Sequence, residues 1–295
     1  MRLGVVFPQT EIGSDPVVIR DYAQAAEGAG YDHLLVFDHV LGGKLERFDQ
    51  LGRRPPYTDE SPFHEVFVLF GYLGACTQRL ELVTGIVILP QRQTALAAKQ
   101  AADLDILSGG RLRLGVGTGW NYVEYDGLGQ DFHSRGKKMD EQIPLLRKLW
   151  SEEAISFEGK FDRIDRANLV PRPGRQIPIW CGGFVEAAYA RAARLADGFI
   201  FATGFDDSTI EAWHQIREMV RAAGRSPEAF GGQFVLQSWA GEVRSYDEIL
   251  DRLRRLQDVG ASHAGIVSMG RGFTETDQHL DFFAEVKQRA DDALG

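Results

Sequence analysis

The stretch LELVTGIVILPQRQTALAAKQAADLDILSGGRLRLGVGTGWN, residues 80–121, decides the fold, because it predicts a strand, a helix and a second strand in succession. Leu82 to Leu89 is an almost continuous run of Leu, Val and Ile, typical of a parallel strand that is covered on both faces. Thr94 is expected to cap the helix that follows, which ends at Gly109. The second strand, Arg111 to Val116, runs into the glycine-rich GVGTGWN. A right-handed crossover brings both strand ends to the same rim, so the glycines that follow each strand should face one cleft.

The same alternation of apolar runs and amphipathic segments continues along the whole chain. It predicts eight strands, each followed by a helix, with no change of composition that would mark a linker. The pattern therefore predicts a single α/β domain over residues 1–295, a (β/α)8 TIM barrel with loop insertions at its C-terminal rim. The predicted strands are Leu3–Phe7, His33–Phe37, Leu82–Leu89, Arg111–Val116, Ile177–Cys181, Gly198–Ala202, Gln233–Trp239 and His263–Ser268.

Two polar connections stand out between these elements. Residues 41–60 and residues 122–133 are rich in polar residues and are both predicted to be loops. The helix between the first of these loops and the quoted stretch is predicted to begin at Ser61 and to end near Cys76.

Composition narrows the classes of function. A net charge of −9 argues against a nucleic-acid partner or an anionic membrane surface, since both require a basic face. No stretch of about 18 apolar residues occurs and the N-terminal apolar run is too short for a signal peptide, so a cytoplasmic protein is expected. The two cysteines, Cys76 and Cys181, fit neither a metal site nor a disulfide framework.

In a barrel of this kind the chemistry lies at the C-terminal ends of the strands. Asp38 and His39 end the second predicted strand, and a histidine beside a carboxylate can be oriented for proton transfer or for steadying charge. A metal hydrolase is less favoured, because strand one ends without a pair of histidines, and no strand end carries the lysine of a Schiff-base aldolase. The other candidate positions are Pro8, Gly85, Ile86, residues 117–121, Gly182, Gly183, Thr203, Gln237, Ser238 and residues 268–270.

Two glycine motifs each leave alternatives open. GVGTGWN lacks the dinucleotide-binding fingerprint, because Trp120 stands where the third glycine belongs. It is either a tight turn or a turn that brings the backbone and Trp120 against a flat ligand. Gly182 and Gly183 precede a predicted helix, which makes either an ordinary turn or an anion site at a helix N-terminus.

At these residues the chain resembles the bacterial luciferase-like superfamily, and most of all its branch that uses the deazaflavin coenzyme F420. The resemblance covers nearly the whole chain, and the block at residues 84–121 is its most specific mark. The matching motifs are FDH at 37–39, TGIVILPQRQ at 84–93, LAAKQAADLDILSGGRLRLGVGTGWN at 96–121, FEGKFDRI at 157–164, IPIWCGG at 177–183 and ADGFIF at 196–201.

The resemblance implies an isoalloxazine-type ring in the barrel mouth, propped by a bulge with a non-proline cis peptide between Gly85 and Ile86. Asp38 would hold the polar edge of the ring, and His39 would stand over its reactive carbon as acid/base. The resemblance makes Asp38, His39 and Trp120 the catalytic candidates. The cofactor-binding candidates are Asp38, Thr84, Gly85, Ile86, Gly117, Gly119, Asn121, Cys181, Gly182, Gly183 and Phe184, of which Gly182, Gly183 and Phe184 would hold the phosphate.

One departure bears on the substrate. The glucose-6-phosphate dehydrogenases of the superfamily have a glutamate after GVGTG, whereas this chain has Trp120, which suits an apolar wall better than a sugar phosphate. The anionic tail of a deazaflavin would need cations. Candidates are Arg53 and Arg54 or the group Arg135, Lys137 and Lys138, although all of these are also explained as solvated surface charges.

Three functions are therefore considered, and none involves a metal. The first is an F420-dependent oxidoreductase that transfers a hydride to or from a small organic substrate. The second binds FMN and oxygenates its substrate with dioxygen. The third is a non-catalytic carrier of flavin or deazaflavin. A homodimer is expected because relatives often form dimers.

Overall fold

The computed structural model describes residues 1–52, 54–202, 204–236 and 245–294. Within them, parallel strands close into a barrel, which confirms the predicted (β/α)8 fold. The sheet order is β3-β2-β1-β11-β10-β9-β8-β5-β4, and β3 also pairs with β5 to close the ring. The barrel strands are β1 Arg2–Val6, β2 His33–Val36, β3 Glu81–Thr84, β4 Val87–Ile88, β5 Leu112–Gly117, β8 Ile179–Gly182, β9 Gly198–Phe201, β10 Gly231–Leu236 and β11 His263–Ile266.

Helices surround this barrel, and a small antiparallel hairpin of β6 (Ile155–Glu158) and β7 (Arg163–Ala167) is inserted before β8. Short 3-10 turns lie at Leu45–Leu51 and Leu89–Gln91. No described helix is both apolar and long enough to cross a bilayer. The helices are α1 Pro16–Gly28, α2 Val66–Cys76, α3 Thr94–Leu107, α4 Tyr122–Gly127, α5 Arg135–Ser151, α6 Glu186–Leu195, α7 Asp207–Ala222, α8 Tyr246–Asp258 and α9 Thr276–Leu294.

The strands bury both faces, as their continuous apolar runs predict. Outward side chains such as Leu34 and Leu82 pack against the helices in the main core, and these two residues are register partners on β2 and β3. Inward side chains form a second cluster inside the barrel. Its members are Val6, Leu35, Val83, Trp180, Ile200, Val235 and Val267, with Ile86 packed against it.

The N-terminal end of the barrel interior holds a polar plug instead of apolar side chains. The buried Arg113 donates from Nη1 to Gln233 Oε1 over 2.6 Å and from Nη2 to Glu81 Oε2 over 3.0 Å. Its guanidinium lies 4.3 Å from the ring centre of Trp180. Gln233 Nε2 lies 3.1 Å from His33 Nε2, so the buried charge is linked to a buried histidine.

The predicted third strand, Leu82–Leu89, is wrong as one element. It is interrupted at Gly85–Ile86, so β3 and β4 are two halves of a single barrel position. The predicted cap Thr94 is also wrong, because Gln93 precedes the helix without a side-chain cap bond. The Thr94 hydroxyl donates to Asp162 Oδ2 over 2.7 Å and so ties α3 to the hairpin.

Two further boundaries need correction. The helix predicted from Ser61 begins at Val66, because the Glu65 carboxylate accepts from the backbone N–H of Val68 and caps it there. The predicted loop 122–133 begins with α4, which Asn121 caps by accepting from the Val123 N–H. The candidate positions Arg53, Thr203, Gln237 and Ser238, and the predicted strand end Trp239, lie outside the described residues.

Candidate functional site

The interruption between β3 and β4 shapes the mouth of the barrel. The peptide between Gly85 and Ile86 is cis, at the position that the resemblance implied. Below it, the Thr84 hydroxyl donates to the carbonyl oxygen of Gly115 over 2.7 Å and ties β3 to β5. The Thr84 side chain is therefore bonded to the barrel wall.

Ile86 explains two of the glycines that the sequence singles out. A Cβ atom on Gly117 would lie 2.5 Å from Ile86 Cδ1, and one on Gly182 would lie 2.9 Å from Ile86 Cγ2. Gly119 is held in the same way, since its Cβ would lie 2.8 Å from Ile88 Cγ2. The glycines in and just after β5 and in β8 thus leave space for the side chains of Ile86 and Ile88. Neither interpretation of GVGTGWN, as a tight turn or as a turn against a flat ligand, included this reason.

Asp38 lies two residues after β2, and the protein engages both of its carboxylate oxygens. Oδ2 accepts from the Ile88 backbone N–H over 3.0 Å, and Oδ1 accepts from Arg92 Nη2 over 2.7 Å. Arg92 also pairs with Glu65 over 2.8 Å. Burial raises the pKa of Asp38 despite the opposing effects of Arg92 and the Ile88 N–H. In this structure Asp38 positions the bulge, and its contact with a cofactor ring stays a prediction.

His39 follows Asp38 and lies under aromatic side chains. Its ring centre is 3.8 Å from that of Tyr57 and 4.9 Å from that of Phe63. Its Nδ1 lies 3.5 Å from Glu124 Oε1. With 15% of its side chain exposed, His39 is shielded on most sides.

Glu124 is a site residue that sequence reasoning missed. Its fully buried carboxylate accepts from the backbone N–H groups of Val40, at 2.7 Å, and Leu41, at 3.2 Å. Burial acts to raise its pKa, but His39 and these N–H groups outweigh that effect and the pKa falls below its usual value. The signal was present in the sequence, because Asn121 followed three residues later by Glu124 is a helix-start pattern.

An aromatic wall, defined as Phe48, Tyr57, Phe63 and Trp120, covers this side of the mouth. The ring centre of Trp120 lies 5.2 Å from that of Tyr57 and 5.5 Å from that of Phe48. Asn121 fixes the wall by donating from Nδ2 to Tyr57 Oη over 2.8 Å and to the Leu41 carbonyl over 3.1 Å. Asn121 is fully buried, and its side chain joins Tyr57 of the wall to the chain segment at Leu41.

The rim after β8 consists of glycines and the uncapped start of α6 instead of a cluster of aromatic side chains. Gly183 has a φ of +154°, and a Cβ there would lie 2.7 Å from Ala188 Cβ, so the turn requires glycine. No side chain caps α6, whose N-cap is Val185, and Phe184 is 59% exposed. The first N–H groups of a helix have no partner within the helix, so this end suits an anion. The Cys181 side chain instead lies in the core, where burial raises its pKa to about 12.

The cationic side chains that could bind a cofactor tail differ in whether they are already bonded to the protein. Arg135 donates to the Phe132 carbonyl over 2.6 Å and lies 3.6 Å over the Phe132 ring. Lys138 donates to the Pro90 carbonyl and to Gln130. Lys137 and Arg54 are exposed.

Comparisons with known proteins agree with this architecture. Residues 1–238 match the profile of the luciferase-like monooxygenase family. An uncharacterized protein of Mycobacterium tuberculosis is 35% identical over 261 residues, which cover 87% of this chain and 86% of that protein.

Relatives with named activities divide between two cofactors. An F420-dependent glucose-6-phosphate dehydrogenase of Nakamurella multipartita is 32% identical over 218 residues, 71% of this chain and 60% of that protein. An FMNH2-dependent dimethylsulfone monooxygenase of Pseudomonas fluorescens is 32% identical over 196 residues, 65% of this chain and 50% of that protein.

Among solved structures, an F420-dependent secondary alcohol dehydrogenase with a bound F420–acetone adduct matches with a TM-score of 0.79. It is 19% identical, and the match covers 98% of each chain. That similarity shows a shared fold.

Proposed function

Since the chain belongs to the luciferase-like monooxygenase family, we propose that it is an F420-dependent oxidoreductase that transfers a hydride between the deazaflavin and a small organic substrate. Relatives named as oxidoreductases or monooxygenases support an enzyme with a flavin or deazaflavin cofactor. The preference for F420 rests on the resemblance of the 84–121 block.

The observation that carries the proposal is the arrangement of the residues at the rim formed by β4, β5 and β8. Ile86 lies against Gly117 and Gly182, and Gly183 leads into a helix end that no side chain caps. A flat ring with a phosphate-bearing tail needs these two features together, an apolar floor and nearby backbone donors. The residues present therefore fit such a group.

When bound, F420 would supply the hydride chemistry, and the protein would supply placement and protons. The backbone at Gly182, Gly183 and Phe184 would hold the phosphate, while Ile86 would support the ring. Thr84, Asn121 and Cys181 would contribute through their backbones, because their side chains face other partners. His39 would give or take the proton that balances the hydride.

The aromatic wall indicates the kind of substrate. Trp120 and Tyr57 pack edge to face beside His39. Arg92, whose side chain is 14% exposed, is already paired with Asp38 and Glu65. We propose an uncharged substrate with apolar surface, such as an enone, a ketone or a secondary alcohol.

The second candidate function keeps the same site and binds reduced FMN, with dioxygen as co-substrate. It is favoured by the Pseudomonas fluorescens relative, whose 32% identity equals that of the F420-dependent relative from Nakamurella.

Anaerobic titration of the purified protein with reduced F420 and with reduced FMN, followed by admission of oxygen, separates the two. We expect tight binding of reduced F420 and its oxidation by an enone or ketone without oxygen. Tight binding of FMN alone, with substrate consumed only in the presence of oxygen, rejects the F420 proposal and supports the monooxygenase.

We further propose that the protein acts as a cytoplasmic homodimer. Val68, 73% exposed, and Tyr72, 39% exposed, leave an apolar face on α2 that a second copy could cover. Sedimentation equilibrium tests this assembly, and a monomer at micromolar concentration contradicts it.

A further inference from the structure

Glu124 is a buried carboxylate at the barrel mouth whose role goes beyond capping or packing. It lies in the first turn of α4, where its carboxylate does not bond the N–H groups of its own helix but reaches the chain just after β2. There it accepts from Val40 and Leu41, the two residues that follow His39. Its second oxygen accepts from Gln91 Nε2 over 3.3 Å. Three hydrogen bonds, from Val40, Leu41 and Gln91, thus hold the carboxylate beside His39.

His39 Nδ1 is buried and has no hydrogen-bond partner that meets normal geometry. Leaving a buried polar atom unpaired costs about 1–3 kcal/mol, so a nearby acceptor would be used. Glu124 Oε1, at 3.5 Å, is within a small side-chain adjustment of a hydrogen bond. Such contacts at catalytic groups are often long without ligand and shorten when the site is filled.

The other acceptors beside His39 are already engaged. Both Asp38 oxygens are occupied by Ile88 and Arg92. The Tyr57 hydroxyl oxygen accepts from Asn121, and its O–H faces the Glu124 carboxylate. Tyr57 meets His39 through its ring. Phe63 offers only an aromatic surface. Among the carboxylates of the described residues, Glu124 is the one that lies within 4 Å of a His39 ring nitrogen, with Oε1 at 3.5 Å from Nδ1.

We propose that Glu124 is a positioning residue that accepts the Nδ1–H of His39 and thereby leaves Nε2 as the nitrogen that exchanges a proton with the reacting molecule. The catalytic part of this inference rests on the proposed function, whereas the pairing of Glu124 with His39 does not. Because one oxygen also holds the Val40 and Leu41 N–H groups, the carboxylate sets both the position of His39 and its tautomer.

Nitrogen-15 NMR of histidine-labelled protein without cofactor tests the pairing directly. The His39 signals are assigned from their loss in His39→Asn. At about pH 8, where a free imidazole is neutral, we expect Nδ1 to carry the proton, with a proton resonance shifted downfield by its carboxylate acceptor. In Glu124→Gln, which keeps the shape and an acceptor oxygen for the backbone, this resonance should move upfield.

A matched control is Glu27→Gln. Glu27 also accepts from backbone N–H groups, those of residues 78–80, in the connection that leads into the N-terminal end of β3. It should leave the His39 resonance unchanged. A proton on Nε2 in the unmodified protein overturns the proposal without any variant. An identical Nδ1–H resonance in Glu124→Gln, or an equal shift in Glu27→Gln, also overturns it.

Kinetics separate this proposal from the proposed function. With the cofactor that binds, Glu124→Gln should lower kcat tenfold or more and leave KM within about twofold, because the residue acts through His39. A rise in KM together with a fall in kcat, with the tautomer unchanged, indicates a structural role and overturns the positioning role. Failure of F420 to bind the unmodified protein rejects the proposed function and leaves the NMR result standing.

Discussion

At the scale of single residues, His39 is the group on which the proposed chemistry depends. It stands at the end of a barrel strand, is shielded by Tyr57 and Phe63, and faces one buried carboxylate, that of Glu124. A histidine held in this way can move a proton in a site from which water is mostly excluded.

Replacing His39 tests this role. In His39→Asn we expect turnover to fall by about 10²–10⁴-fold, the usual contribution of a general acid or base, with cofactor affinity within a few-fold of the unmodified protein. Steady-state kinetics and a cofactor titration make the measurement. The exposed His133 provides the control variant His133→Asn. Unchanged turnover in His39→Asn supports the non-catalytic carrier instead.

Gly183 tests the phosphate-binding rim. In Gly183→Ala the new Cβ would meet Ala188 at 2.7 Å in a backbone conformation that favours glycine, so the turn before α6 must shift. We expect at least a tenfold loss of cofactor affinity by fluorescence titration. Gly174→Ala adds a Cβ with no atom within 4 Å and should bind normally. Equal affinity in both variants places the phosphate elsewhere.

The apolar pattern placed Asp38 and His39 just after the second strand, and the family resemblance implied the cis peptide between Gly85 and Ile86 that the structure contains. Sequence reasoning missed Glu124, Tyr57 and Arg92 for a physical reason. Tyr57 and Arg92 lie in irregular segments and Glu124 lies in the short helix α4, and each has a partner more than 50 residues away: Asn121 for Tyr57, Asp38 for Arg92 and His39 for Glu124. Hydrophobic periodicity carries no information about such contacts.

At the scale of elements, the break between β3 and β4 is fixed from outside by β2. Asp38 accepts from the Ile88 backbone of β4 and pairs with Arg92, which follows the next 3-10 turn. Arg92 in turn pairs with Glu65, the residue that caps α2. These contacts join three successive segments of the mouth.

Asp38→Asn tests this connection between elements. We expect the free energy of unfolding to fall by about 1–3 kcal/mol. The substitution weakens the hydrogen bond between Arg92 and the buried Asp38 charge, whereas the ion pair of Arg92 with Glu65 remains. Urea unfolding gives the value. The comparison variant is Glu65→Gln, at a carboxylate that is 32% exposed, and it should lose less than about 1 kcal/mol. A larger loss in Glu65→Gln contradicts this assignment.

Element boundaries were predicted less well than element types. Ser61 and Pro62 look like a helix start, but the helix begins where the Glu65 carboxylate meets the Val68 N–H. The residues before Val66 instead present Phe63 to His39. Likewise, residues 122–127 form a helix that begins at the Asn121 cap, and the prediction of a loop missed it although Asn121 and Glu124 have the spacing of a helix start.

At the scale of the whole molecule, barrel closure followed from eight apolar runs and the glycines between them. The polar plug did not, because His33, Arg113 and Gln233 come from strands far apart in sequence. Burial lowers the pKa of His33 well below its ordinary value and lowers that of His263 to about 2, with Arg113 adding to both shifts.

These histidines predict sensitivity to acid. Their pKa values are lower in the folded chain than the unfolded value of 6.5, so the unfolded chain binds more protons below that pH. Stability is therefore complete above pH 6.5 and is lost as the pH falls, by about 1.4 kcal/mol per pH unit for each histidine.

Urea unfolding between about pH 7 and pH 5 measures that slope, since ordinary histidines titrate across this range. His33→Gln should lower the pH dependence of the free energy of unfolding by the equivalent of one bound proton, whatever the stability of the variant at neutral pH. The exposed His214, on α7, provides the control His214→Gln, which should keep the slope of the unmodified protein. The same slope in His33→Gln contradicts the burial of a neutral histidine in the plug.

The measurement that tests the central claim most directly is a crystal structure of the protein with F420 bound. It should show the ring in van der Waals contact with Ile86 and beside His39, with the phosphate accepting from backbone N–H groups at Gly183 and Phe184. A cofactor bound away from the rim of β4, β5 and β8, or a phosphate far from the start of α6, would contradict the account.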